Sequence, residues 1–151
     1  MNLEEYGESL RQEVFASAEI SARSPLEAFT EYAAERLSAS GDIQSSTIAY
    51  HYKTGMEVAG WSCEPDDVVL HLFVSIWDPG TELPSLTITE ATSSIRRVCN
   101  FVTRCVRGYA AALEETDPVW ELADLIGRFG SEIRLIRIYL LSNHVARRLM
   151  R

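Results

Sequence analysis

The sequence has none of the features that mark secreted, membrane-spanning or zinc-knuckle proteins. Its three cysteines, Cys63, Cys99 and Cys105, form no CxxC pair, so neither a disulfide framework nor a zinc knuckle is expected. No stretch approaches the roughly 18 uninterrupted apolar residues that indicate a membrane helix. The acidic N-terminus also lacks the basic start and the apolar run of a signal peptide. These absences predict a cytoplasmic protein that makes no membrane contact.

The sequence also lacks the short motifs by which common catalytic sites are identified. It contains no GxxxxGKS/T or GxGxxG loop for phosphates, and no GxSxG turn for a nucleophilic serine. His51, His71 and His144 are too scattered for an HExxH-type zinc site. We therefore expect no cofactor and no complete catalytic motif.

Basic residues are scarce in the first part of the chain. Residues 1–90 carry four basic and sixteen acidic side chains, a net charge of −12. Residues 91–151 carry ten basic and six acidic side chains, a net charge of +4. An isoelectric point near 4.9 argues against a general nucleic-acid-binding protein, because phosphate binding needs positive potential. A local basic patch in the second part remains open.

The pattern of apolar residues predicts an α/β protein with the element order α-α-β-β-β-α-α-β. Capping signals at Asn2 and Ser24 begin two helices, which extend to about Ile20 and to Gly41. A third helix is predicted from Thr87 to about Glu115, and a fourth from Asp117 to Gly127 or Gly130. The predicted strands are Thr47–Tyr52, Met56–Cys63, Val68–Trp77 and Ile133–Leu141. The first three strands follow one another through tight turns, so we expect a meander within a single domain of residues 1–151.

Four arginines lie within about a quarter-turn of each other on the third predicted helix, opposite its apolar side. They are Arg96, Arg97, Arg104 and Arg107. A row of guanidinium groups suits phosphates or carboxylates on a partner, which makes these residues a candidate binding surface. The alternative is an ordinary solvated helix face.

Four segments have a recognisable pattern: Val58–Trp61, the strand Val68–Trp77, the helix after Leu86–Glu90, and Ile136–Asn143. Together they resemble the N-terminal domain of the AIPR family, the abortive infection phage resistance proteins. It implies that the chain is the N-terminal piece of a longer bacterial phage-defence protein. It also implies a restriction-endonuclease-like core, in which a four-stranded mixed sheet is flanked by helices.

Active nucleases of the implied fold hold Mg²⁺ with acids on the second and third strands, and a lysine follows the third-strand acid by two residues. Two carboxylates hold the hard cation, which polarises the phosphate. The corresponding positions here are Ala59, Ser75 and Trp77, which cannot supply this chemistry. Lys53, the one lysine in the chain, precedes the second strand. We therefore expect a degenerate site.

The alternative is a rearranged nuclease site built from Glu35, Lys53 and Glu57, which would use Mg²⁺. A third hypothesis is a module that binds nucleic acid through the arginine row without cutting it. The favoured function is assembly or sensing within a phage-defence protein. The expected partners are then the rest of the same polypeptide or another protein, and a homo-oligomer is an additional option.

Overall fold

The first two helices begin at capping boxes in the computed structural model, which describes residues 2–64, 69–80, 82 and 84–144. Helix α1 spans Leu3–Ser21, and the Asn2 side chain accepts a hydrogen bond from the Glu5 backbone N–H. Helix α2 spans Pro25–Ala39 and begins with the same exchange between Ser24 and Glu27. Each box satisfies backbone donors that would otherwise lack a partner at the helix start.

The four strands form one mixed sheet in the order β1-β2-β3-β4, which confirms the four-stranded mixed sheet. Strands β1 (Thr47–Lys53), β2 (Met56–Cys63) and β3 (Val69–Ile76) form an antiparallel meander. Strand β4 (Leu135–Ser142) pairs with β3 in parallel. The chain reaches β4 from β3 through helices, as parallel neighbours require.

The connection between β3 and β4 contains helix α3 (Ile88–Val106), a short 3-10 helix (Tyr109–Ala112) and helix α4 (Trp120–Phe129). The prediction that the third helix reaches Glu115 is therefore wrong. Gly108 adopts a φ of +96°, and its N–H donates to the Cys105 carbonyl oxygen at 3.0 Å. This left-handed conformation is accessible to glycine, and it ends the helix.

The two faces of the sheet are covered differently. Helices α3 and α4 cover what we call the closed face, and α1 and α2 cover the open face, which retains a groove. Leu70, Leu72 and Val74 point from β3 into the main core, where they meet α3, α4 and the 3-10 helix. Phe73 points to the other face and packs with Ala34 of α2. The alternation along β3 follows from the two-residue period of a strand, and it explains why β3 is apolar on both sides.

Trp77 lies just beyond the end of β3 and is half-buried, whereas the sequence placed it inside a buried strand. Its ring packs against Phe29 and Phe15, with centroid separations of 5.1 Å and 6.2 Å. Val68, which was predicted to begin the same strand, lies outside the described residues. No helix in the described part of the chain is long and apolar enough to cross a membrane.

Candidate functional site

The carboxyl ends of the parallel strands β3 and β4 meet the first turns of α3 at a cleft of about 380 Å³. Trp77 and Asp78 line one side of the cleft, Glu90 and Arg97 line the helix side, and His144 closes the end. In α/β sheets, the carboxyl ends of parallel strands are the usual place for ligand sites. The cleft is therefore the first candidate site of this molecule.

Asn143 holds the two strand ends together at the base of the cleft. Its side-chain oxygen accepts a hydrogen bond from the Asp78 N–H at 2.9 Å, and its side-chain nitrogen donates to the Asp78 carbonyl oxygen at 2.8 Å. The Asp78 carboxylate accepts from the Gly80 N–H at 2.8 Å, which ties it into the turn after β3. Asn143 is thus a positioning residue, and no sequence motif marked it.

A buried carboxylate, Glu57, bonds to Arg97 of the cleft wall and accepts one hydrogen bond at each oxygen. The Tyr50 hydroxyl donates to Oε2 at 3.0 Å, and the Arg97 Nε donates to Oε1 at 3.2 Å. Arg97 Nη2 also donates to the Ser94 hydroxyl at 3.1 Å. Glu57 is only 8% exposed, and the positive charge of Arg97 offsets the free-energy cost of removing its carboxylate from water.

Tyr50 takes part in this cluster as a hydrogen-bond donor over the ordinary pH range. Burial, and after it the adjacent Glu57 carboxylate, raises the pKa of its hydroxyl to about 12. The protonated hydroxyl is the form that can donate to the carboxylate. The cluster is therefore a closed set of donors and acceptors, with one carboxylate at its centre.

The three positions where the resemblance would place the nuclease groups are used for packing. Ala59 is buried within β2. The Ser75 hydroxyl lies 2.6 Å from the Thr30 hydroxyl of α2, and both side chains are buried. Trp77 stacks near Phe29 of α2. Ser75 and Trp77 therefore help to hold α2 on the sheet, and Ala59 fills space within the core.

The residues of the rearranged-site hypothesis lie in three different surroundings. Glu35 is exposed on α2 and lines a small groove with Glu13 and Glu31. Lys53 is exposed at the end of β1, opposite Met56. Glu57 bonds to β1 and α3 as described above, and no hydrogen bond or ion pair among the described residues joins it to Glu35 or Lys53. Within the described ranges, no three acidic, histidine or cysteine side chains are grouped to hold a metal ion.

The arginine row divides into one partly buried residue and three exposed residues. Arg97 is engaged with Glu57 and Ser94. Arg96, Arg104 and Arg107 are exposed, and no carboxylate of the described chain forms an ion pair with them. Helical spacing alone could not separate Arg97 from the others, because Glu57 is forty residues away in sequence.

The chain matches the family model of the abortive infection phage resistance protein N-terminal domain over residues 29–150. This match confirms the resemblance carried by the sequence segments. The matched range includes the whole sheet, α3, α4 and most of α2, and it leaves out α1. No curated protein and no solved structure matches the chain.

Proposed function

The chain belongs to the family of abortive infection phage resistance protein N-terminal domains, and we propose that it is a nuclease-like domain that has lost catalysis. In this proposal it serves in assembly or sensing within a phage-defence protein. The nuclease-like assignment is supported by the order of the elements, in which a helix precedes a three-stranded meander and helices then lead to a fourth strand parallel to the third.

The packing of Ser75 and Trp77 is the main observation that supports the proposed loss of catalysis. A nuclease of the implied type needs an acid and a lysine there, both directed at a shared metal and phosphate. Ser75 instead bonds to Thr30, and Trp77 packs on Phe29. A carboxylate at position 75 would enter the α2 interface without a cation, which is strongly unfavourable. Ser75 and Trp77 therefore serve to pack α2 against the sheet.

Glu57 supports the same conclusion independently. Its two oxygens already accept hydrogen bonds from Tyr50 and Arg97. A divalent cation at these oxygens would compete with the Arg97 guanidinium and weaken a partly buried ion pair. Glu57 is thus better suited to fixing α3 on the sheet than to binding Mg²⁺.

A cleavage assay tests this proposal directly. Single-stranded RNA, single-stranded DNA and duplex DNA are incubated with the protein and Mg²⁺ or Mn²⁺, with an EDTA control. We expect no cleavage of any substrate. Metal-dependent cleavage that is lost in Glu57→Gln but retained in Glu19→Gln, an exposed acid on α1, would establish a rearranged nuclease instead. Circular dichroism of each variant separates lost activity from lost folding.

Binding of nucleic acid without cleavage is a second candidate function, favoured by the exposure of Arg96, Arg104 and Arg107. Phosphate contacts make affinity fall steeply with salt. If this surface binds, Arg104→Ala weakens binding of a labelled oligonucleotide and reduces its salt dependence. Arg128→Ala is the matched control, because Arg128 is also exposed but pairs with Asp124. Equal affinity for the wild type and Arg104→Ala would remove this candidate.

A further inference from the structure

Strand β4 forms an open and regular edge of the sheet. Among the described residues it pairs with β3 alone, through eight consecutive register pairs without a bulge. The opposite edge differs, because β1 contains a register shift between Ile48 and His51 and ends in the exposed Lys53. Bulges and edge lysines are the usual protection against strand pairing. The β4 edge has neither a bulge nor a lysine, and Arg137 is its one charged side chain.

The side chains of β4 are mostly apolar. Ile136, Ile138 and Leu140 pack on the core of the closed face, and Tyr139 and Leu141 pack on the α2 side. Leu135 also belongs to the α2 side by alternation, yet it is 44% exposed. A long apolar edge with an exposed leucine is a surface on which another strand can pair.

A groove of about 780 Å³ lies beside the carboxyl half of this edge, between α1, α2 and β4. Its apolar walls include Leu3 and Leu10 of α1, Phe29 of α2 and Leu141 of β4. The groove is on the same face of the sheet as Leu135. One copy of the chain therefore carries both an exposed apolar side chain and an apolar recess that could receive it.

We propose that two copies of this chain pair through antiparallel β4 strands, so that their sheets join into one and Leu135 of each copy enters the groove of the other. A two-fold axis perpendicular to the sheet keeps the open faces of both copies on the same side. In an antiparallel pair, the side chains of directly opposed residues lie on the same face of the sheet. With this axis, the register must therefore be centred on a residue and not between two residues. The register centred on Ile138 meets this condition and places Leu135 opposite Leu141 of the second copy.

The charges along β4 favour a second copy in this register. Arg137, the one charged residue of the strand, comes opposite Tyr139, where a guanidinium–ring contact is favourable. A register centred on Arg137 would instead oppose two arginines, which is unfavourable. The contacts along β4 thus favour this register although each copy carries a net charge of −8.

The inference rests on the proposed assembly role and gives it a partner, a second copy of the chain. Light scattering coupled to size exclusion tests it, because a pair has twice the 17.0 kDa mass of one chain. We expect a dimer for the wild type and a monomer for Leu135→Glu, which introduces a carboxylate where the groove is apolar. Tyr52→Glu is the matched control: Tyr52 is 60% exposed on β1, the opposite edge, so this variant stays dimeric.

Hydrogen exchange provides a second readout that does not depend on the variant. Amides of β4 that face the open edge should become protected as the protein concentration rises, whereas β1 amides should not change. A wild type that is monomeric at every concentration would overturn the pairing, as would a dimer that Leu135→Glu leaves intact. Neither result bears on metal-dependent cleavage, which is what tests the proposed function. The failure of the pairing can therefore be distinguished from the failure of the proposed function.

Discussion

The two faces of the sheet are built differently. The face under α3 and α4 carries one continuous core, whose largest buried side chains include Phe101, Leu72 and Leu122. The face under α1 and α2 carries two smaller clusters, a buried pair of hydroxyl groups and a groove of about 780 Å³. Apolar burial is the main source of stability, so the closed face contributes most of it.

This difference separates the main source of stability from the exposed apolar surface. The open face exposes apolar side chains of α1, including Leu3 and Tyr6, beside a strand edge. Large exposed apolar surfaces generally mark contact sites. The positions that would carry nuclease chemistry, Ser75 and Trp77, also lie at the open face, where they bind α2.

The largest predicted effect contrasts one aromatic residue from each face. Phe101→Ala removes a side chain with no exposed surface and should cost about 3–5 kcal/mol in the free energy of unfolding, through loss of burial and the cavity left behind. Trp77→Ala removes a half-buried ring and should cost less. Urea unfolding of both variants measures the difference. A cost for Trp77→Ala equal to or above that for Phe101→Ala would contradict the contrast between the faces.

The next prediction concerns the ion pair between β2 and α3. Glu57→Ala leaves the donors of Tyr50 and Arg97 without their acceptor and should cost about 1–3 kcal/mol. Asp124→Ala breaks the exposed pair with Arg128 on α4 and should cost less than about 1 kcal/mol. The same unfolding experiment compares the two. Equal costs would mean that Glu57 does not fix α3 on the sheet.

A smaller effect is expected at the hydroxyl pair of the open face. Thr30 donates to the Leu26 carbonyl oxygen at 2.8 Å, so Ser75 must be the donor in its 2.6 Å contact with Thr30. Thr30→Val leaves the buried Ser75 hydroxyl without an acceptor and should cost about 1–2 kcal/mol. Thr30→Val combined with Ser75→Ala should cost less than Thr30→Val alone. A double variant that loses the sum of both single costs would argue against coupling.

The smallest effect is a pH dependence on the alkaline side. The pKa of Tyr50 is raised from 10.0 to about 12 in the folded protein. The stability it contributes is therefore complete below the pKa of the unfolded state and is lost as the pH rises through that of the folded state. Unfolding measured from neutral pH to strongly alkaline pH should show a shallower decline for Tyr50→Phe than for the wild type. Identical profiles would exclude a contribution from Tyr50.

Local patterns in the sequence predicted the starts of the first three helices and the bounds of the strands to within two residues, whereas α4 begins three residues after the predicted Asp117. Asn2 and Ser24 cap α1 and α2 through contacts within three residues, so the sequence alone contains the whole signal. The end of α3 was placed too late because apolar residues continue beyond Val106. Gly108 was the available signal, and its left-handed conformation outweighs the helical pattern that follows it.

The candidate site was harder to predict because its contacts cross long stretches of sequence. Arg97 has the spacing of a surface residue in the arginine row, but it meets Glu57 forty positions away. Asn143 and Asp78 are separated by sixty-five positions, and neither belongs to a motif. Only the register of β3 with β4, and the placement of α3 over β2, bring these groups together. The residue types at positions 59, 75 and 77 were readable from the sequence, whereas their packing roles were not.

The most direct test of the central claim, that the nuclease positions serve packing and hold no metal, is calorimetric titration with Mn²⁺. The wild type, Glu57→Gln and Glu35→Gln are titrated under identical conditions, and circular dichroism confirms that each is folded. We predict the same weak, unsaturable heat for all three proteins, as expected for an acidic surface without a metal site. A saturable site in the wild type that disappears in Glu57→Gln would contradict the account and place a metal centre at Glu57.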